Sequence, residues 1–312
     1  MVSINNTDMR DAFFEPLVEI ALKNQNIIIL SADHAAFSLI KFQKEAPDRY
    51  FNIGISEQNM MGLAAGLASK EKIVFAYGIS PFVSLRVLEQ ITLDIAALGL
   101  NVNIVSVGSG FTYSTDGPSH HGIQDINAVM TVPNLEVYNS SDPSNTKYFA
   151  ELATRKSSSK YIRIEKGILP NLLPLSHDYD TGVAMVKNGK DMILISSGSI
   201  VHECCKAAYE IEKRTNKKVG VIDIYRLKPF PHKKLIKLIV GVSEVVTIEE
   251  GLLSCGVGSL VATCLLENNI RPKFLRIGIN DMFCLKYGSR DYLRDEFGLS
   301  SNKIVNRILS RN

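Results

Sequence analysis

"YFNIGISEQNMMGLAAGLASKEKIVFAYG", residues 50–78, sets two short apolar runs on either side of a small-residue segment. "YFNIGI" and "KIVFAYG" have the length and the branched or aromatic content of buried strands, and "SEQNMMGLAAGLA" reads as the helix between them. Strand, helix and strand in this succession predict a parallel α/β crossover. One carboxylate, Glu57, falls at the junction of strand and helix. A helix-start acid facing water is one reading, since the positive helix end favours it by about 0.3–1 kcal/mol. A functional acid is the other, because ligands of parallel α/β sheets sit where strand ends meet helix starts. Gly54, Gly62, Ala64, Ala65 and Gly66 leave the backbone bare around it. A helical Gly costs up to ~1 kcal/mol against Ala, so two of them point to close approach by another backbone or a flat ligand.

The same alternation extends in both directions. A helix is expected from Thr7, with Phe13, Phe14, Leu17, Val18 and Leu22 at helical spacing, and "NIIILSAD" is a buried strand. Downstream come an amphipathic helix "VSLRVLEQITLDIAAL", a strand "NVNIVSVG", a polar loop "SGFTYSTDGPSHHGIQD", and the segments "LEVYNSSDP" and "SSKYIRIEKG". Residues 167–190 carry two prolines and several turn formers without clear periodicity. Beyond them the alternation restarts with "DMILISSGS", "IVHECCKAAYEIEKRT", "VGVIDIYRL", "HKKLIKLIVG", "EVVTIEE", "LVATCLLENN" and "KFLRIGI". The expected fold is therefore two parallel-sheet α/β domains, 1–170 and 191–312, joined by a linker over 171–190.

Composition narrows the function. With 46% hydrophobic and 21% charged residues the chain can bury real cores. A net charge of +3 is too small to argue for nucleic acid or an acidic membrane surface. No apolar run approaches the ~18 residues a membrane span needs. The start "MVSINNTDMRDAFFEPL" is polar and then acidic, unlike a signal peptide, and the five cysteines form no C-x-x-C pair. Reduced thiols in the cytoplasm are the expectation.

Three further groups carry possible chemistry. The turn Thr115-Asp116-Gly117-Pro118-Ser119-His120-His121-Gly122 concentrates donors, acceptors and groups titrating near neutrality, or is a solvated loop with a capping Asp. Its adjacent histidines lack helical metal-pair spacing and have no cysteine nearby, which argues against a metal. Arg163 in "YIRIEKG" and Arg10 at the start of the first helix are either surface salt-bridge partners or holders of a phosphate. Ser196-Ser197-Gly198-Ser199 lacks both G-x-G-x-x-G and a P-loop lysine, and reads as a turn.

Taken together, "GISEQNMMGLAAGLA", "DGPSHHG", "YIRIEKG" and "VIDIYRLKPF…VVTIEEG…GVGS" resemble, in order and spacing, the C-terminal half of the transketolase family of thiamine-diphosphate enzymes. The resemblance spans nearly the whole chain. It implies a pyrimidine-binding domain over 1–170 and a transketolase C-terminal domain over 191–312. It makes Glu57 the acid that hydrogen-bonds a ring nitrogen of the cofactor's aminopyrimidine and so activates the thiazolium. Phe82 would stack on the pyrimidine, with Ile79 where the family has a second aromatic. Asp116 and His120, with His121 beside them, would contact sugar hydroxyls and the reacting carbonyl, His120 as a catalytic group. Arg163 and Arg10 would grip the sugar phosphate. Phe37 and Gly108 stand where the family has a serine and a histidine.

The family binds the diphosphate and Mg²⁺ through Gly-Asp-Gly and a later Asn, and no Gly-Asp-Gly occurs in these 312 residues. The resemblance therefore implies one subunit of a split, two-gene transketolase. An N-terminal-type partner would bring the diphosphate site and the metal, Mg²⁺ or Ca²⁺, in a heterotetramer of two of each. Substrates would be sugar phosphates, with no nucleic acid and no membrane. Competing readings are the β-subunit of a 2-oxo-acid dehydrogenase, a split deoxyxylulose-phosphate-synthase-like carboligase, and a non-catalytic partner that kept only the fold.

Overall fold

The structure, a computed structural model, describes residues 7–174 and 176–311. These form two compact units, 7–108 with 124–174 and 109–123 with 176–311. Each is an α/β domain on a mostly parallel sheet.

In the first unit, α1 (Met9–Lys23) starts at Asp8, whose side chain accepts from Arg10 N, and it buries Phe13, Phe14, Leu17 and Val18. There follow β1 (Ile27–Ser31), α2 (Leu39–Glu45), β2 (Tyr50–Asn52), α3 (Glu57–Ala68) and β3 (Ile73–Ile79). Next come α4 (Leu88–Gln90), β4 (Val102–Val107), α5 (Asp125–Val129), β5 (Leu135–Asn139), α6 (Pro143–Arg155) and β6 (Ser159–Ile164). Strands of this unit run β5-β6-β4-β3-β1-β2, each neighbouring pair parallel. β1, β4 and β6 are buried at every position. That is why β1 reads as a continuous apolar run, whereas β4 and β6 also bury polar side chains, among them Asn103, Ser106, Lys160 and Arg163.

Register then places the site. Ser31 pairs with Asn52 of β2 and with Tyr77 of β3, and Ile79 pairs with Val107 of β4. The carboxyl ends of these strands thus share one edge, the place where parallel α/β sheets bind ligands. The chain leaves β2 through Gly54, at φ +73°, a conformation that favours glycine. Asn52 Oδ1 accepts from Gly54 N and Asp33 N, which fixes the turn that delivers Glu57.

The expected helix over 83–98 is shorter and irregular. Residues 80–87 are turns, and α4 runs into a π-helical turn, Ile91–Ala96. Ser84 Oγ donates to Ser80 O and Thr92 Oγ1 to Leu88 O, the back-bonding by which hydroxyl side chains disturb helices. α6 has a full capping box at Asp142 with Pro143 in the first turn.

The second unit comprises β7 (Ala184–Lys187), β8 (Met192–Ser196), α7 (Val201–Arg214), β9 (Val219–Asp223) and β10 (Arg226–Lys228). α8 (His232–Ile239), β11 (Glu244–Leu252), α9 (Val257–Glu267), β12 (Lys273–Ile279), α10 (Arg290–Glu296) and α11 (Ser301–Leu309) complete it. Its sheet runs β12-β11-β8-β9-β7. Part of the stretch expected as linker, 184–187, is β7, antiparallel to β9 with Ala184 opposite Asp223. Four residues flanked by turn formers are too short for periodicity to reveal. Leu175 of that stretch, and residues 1–6 of the expected first domain, lie outside the described residues. No helix among the described residues is long and apolar enough to cross a membrane.

Candidate active site

Glu57 opens α3 and is 3% exposed. Its Oε2 lies 2.6 Å from Arg86 Nη1, and the Arg86 guanidinium carbon sits 4.1 Å from the centroid of the Phe82 ring. One planar group thus hydrogen-bonds the carboxylate and stacks on the aromatic ring at once. Phe82 follows β3 in a turn closed by Phe82 N donating to Ile79 O at 2.9 Å. Sequence inspection missed Arg86, although its place four residues after Phe82 in "PFVSLR" was a signal. Ile79 ends β3 and is half-buried.

Behind this edge runs a buried polar chain. Ser80 Oγ meets Ser106 Oγ at 2.6 Å, Ser106 Oγ meets Tyr161 OH at 2.7 Å, and Tyr161 OH donates to Asp125 Oδ2 at 2.8 Å. Burial and the Asp125 charge push the Tyr161 phenol well above its ordinary range, so it stays protonated and can donate. Asp125 also takes Arg163, with Nε 2.8 Å from Oδ2 and Nη2 3.1 Å from Oδ1.

This corrects the expectation for Arg163. It is the penultimate residue of β6, opposite Ser106, and is 6% exposed. Removing such a guanidinium from its buried carboxylate costs about 3–5 kcal/mol, so Arg163 braces the core instead of gripping a phosphate. Lys166, the other basic residue of "YIRIEKG", is exposed just beyond the strand end.

Arg10 is held by Asp8, Nε to Oδ1 at 2.9 Å, and Asp8 Oδ2 also accepts from Gly167 N at 3.0 Å. Burial works to raise the Asp8 carboxyl, but Arg10 outweighs it and the group sits below its usual range. Burial, then the charges of Arg10 and Lys166, hold the His34 imidazole down to about 4, with Asp33 opposing. His34, Arg10 and Lys166 therefore form a basic group in which His34 is neutral at pH 7. An imidazole that titrates at 6.5 when unfolded and about 4 when folded takes up a proton on unfolding between those values. His34 therefore contributes stability above pH 6.5 that is lost as pH falls towards 4, about 3 kcal/mol in all. His34→Gln should flatten the fall in urea midpoint across that window. An unchanged slope would remove His34 from the account.

The Asp116–His121 loop packs with the second compact unit. Glu250, near the end of β11, anchors it there. Its Oε1 accepts from Phe111 N at 3.0 Å and Arg290 Nε at 3.0 Å. Its Oε2 accepts from Arg290 Nη2 at 2.8 Å and Arg294 Nη2 at 2.7 Å. Burial opposes ionisation, yet the two arginines hold the Glu250 carboxyl well below the ordinary range. Gly110, at φ +54°, has no room for a side chain, because a Cβ would meet Glu250 at 2.5 Å. Leu252 N donates to Ile123 O at 2.9 Å and closes the loop's other end.

Within this loop Asp116 is exposed, His120 half-buried and His121 buried. Ser119 Oγ lies 3.0 Å from His120 Nδ1. His121 stands edge-on to Phe111 at 5.2 Å, and burial lowers its imidazole below the usual range. Neither of its buried ring nitrogens has a hydrogen-bond partner among the described residues, while Asp116 and His120 reach the surface. No cluster of three or more His, Cys, Asp or Glu side chains able to hold a metal occurs among the described residues.

Comparison with known proteins agrees with this architecture. Residues 5–171 match the family model for the transketolase pyrimidine binding domain, and residues 182–304 that for the transketolase C-terminal domain. A 6-deoxy-6-sulfo-D-fructose transketolase subunit of Clostridium sp. (strain MSTE9) is 32% identical over 95% of this chain and 92% of its own length. An apulose-4-phosphate transketolase subunit of Actinobacillus succinogenes is 30% identical over 94% of each chain. The 1-deoxy-D-xylulose-5-phosphate synthase of Thermotoga maritima is 30% identical over 94% of this chain but 48% of its own length. A solved structure described as a split gene transketolase, inactive beta4 tetramer, superposes with TM-score 0.85 and 29% identity over 98% of both chains. With both domain models matched in order and relatives aligned over nearly its full length, the chain belongs to the transketolase family.

Proposed function

We propose that the chain is the C-terminal-type subunit of a two-chain, thiamine-diphosphate-dependent transketolase that moves a two-carbon ketol unit from a ketose phosphate to an aldose phosphate. One observation carries this reading. A planar, N–H-bearing group already stacks on Phe82 and bonds to buried Glu57, the two contacts an aminopyrimidine would make there. The residues fit the ring end of the cofactor.

When bound, thiamine diphosphate supplies the nucleophile for the ketose carbonyl and stores the electron pair released as the carbon–carbon bond breaks. Glu57 holds and exchanges a proton at the pyrimidine ring nitrogen, and Phe82 fixes the ring plane, with Ile79 adding apolar contact. Asp116 and His120 bind sugar hydroxyls, and His120 moves a proton at the reacting carbonyl oxygen. Arg10 and Lys166 attract the terminal phosphate. The diphosphate and Mg²⁺ (or Ca²⁺) fall to an N-terminal-type subunit carrying Gly-Asp-Gly and a later Asn, two of each chain forming the enzyme. Relatives described as subunits, aligned over 92% and 94% of their own lengths, support this division. So does the related structure described as an inactive beta4 tetramer.

The test is to purify the chain with that N-terminal-type partner and assay both chemistries. Ketol transfer from a ketose phosphate to an aldose phosphate, without carbon dioxide release, is expected. The similarity to deoxyxylulose-phosphate synthases favours a second reading, a split carboligase, which would instead release carbon dioxide from pyruvate. A pair that does neither would contradict both.

A further inference from the structure

Arg86 occupies the two contacts that the proposed function gives to the cofactor ring. Its Nη1 is 2.6 Å from Glu57 Oε2, and its guanidinium lies over Phe82 at 4.1 Å from the ring centroid. The burial of the pair is unequal, with side-chain exposures of 41% for Arg86 and 4% for Glu57. An almost buried carboxylate without a partner is unfavourable, and Arg86 supplies the opposite charge. A guanidinium is planar and carries its donors in that plane, so it imitates the flat, amine-bearing ring. Two such groups cannot stack on one face of Phe82 together.

From this geometry we infer that Arg86 is a placeholder that closes the pyrimidine site until the cofactor displaces it. The inference rests on Glu57 and Phe82 being that site. Displacement is feasible because the Arg86 side chain already reaches solvent and can swing outward with little desolvation. Stacking and ion pairing at a partly exposed site are each modest. Arg86 backbone contacts, its N to Pro81 O at 3.3 Å and its O accepting from Gln58 Nε2 at 3.4 Å, hold the residue in place while the side chain leaves. A placeholder closed nine-tenths of the time would weaken apparent cofactor affinity about tenfold.

The test titrates thiamine diphosphate, with excess Mg²⁺, into the purified two-chain complex and reads Kd by calorimetry. Arg86→Met is expected to tighten Kd about tenfold. Arg86→Lys keeps the charge on Glu57 but loses the plane over Phe82, and should tighten it about threefold. Looser or unchanged binding by Arg86→Met, with Glu57→Gln and Phe82→Ala both weakened, would overturn the placeholder alone and make Arg86 a support of the site or a bystander. Wild-type affinity in both Glu57→Gln and Phe82→Ala would overturn the assignment of the site, and the placeholder with it.

Discussion

Glu57→Gln, in the chain paired with its N-terminal-type subunit, is expected to lower kcat by about 10²–10⁴-fold, the range of a lost acid–base contribution. The amide matches the carboxyl in size and can still meet a ring nitrogen, but it cannot exchange a proton there. Stability should change little. Glu57 stands in the first turn of α3, and its Arg86 partner is 41% exposed, so the pair contributes about 0–1 kcal/mol. The expected result is therefore a folded, correctly assembled complex with turnover near background. Near-normal kcat in that variant would take the proton relay away from Glu57.

Glu250→Ala should act through stability. Its carboxylate neutralises Arg290 and Arg294, whose side chains are 20% and 10% exposed, and it also accepts from Phe111 N. Removing it leaves two facing guanidinium groups and an unpaired amide in a buried site, at a cost of about 3–5 kcal/mol. Urea unfolding of the chain would register this as a lower midpoint. In any fraction that stays folded, the loop carrying Asp116 and His120 loses its main anchor, and KM for sugar substrates should rise more than kcat falls. A stability loss below about 1 kcal/mol would show that the loop is held by other contacts.

Much of this architecture is legible in the chain. The apolar runs of β1 and β3 report burial on both faces, and the alternation of strands and helices locates Glu57, Phe82 and the polar loop at strand ends. What sequence inspection misplaces depends on contacts between distant residues. Arg163 and Lys166 are equally basic and three residues apart, and only the register of β6 tells which is walled in by Asp125. The loop over 109–123 follows a first-unit strand, yet its anchor is Glu250, 139 residues from Phe111. His34 carries no motif, and its depressed imidazole arises from burial beside Arg10 and Lys166. Arg86 reads as one more exposed helix cation until its two contacts are seen together.

In the proposed function this chain supplies the pyrimidine half of a site completed by another chain. Titrating thiamine diphosphate with Mg²⁺ into the chain alone, its N-terminal-type partner alone and the mixture tests it most directly. Tight, saturable binding and ketol transfer should emerge only in the mixture, with one cofactor per pair of unlike chains. Tight binding with turnover by the chain alone would contradict the account.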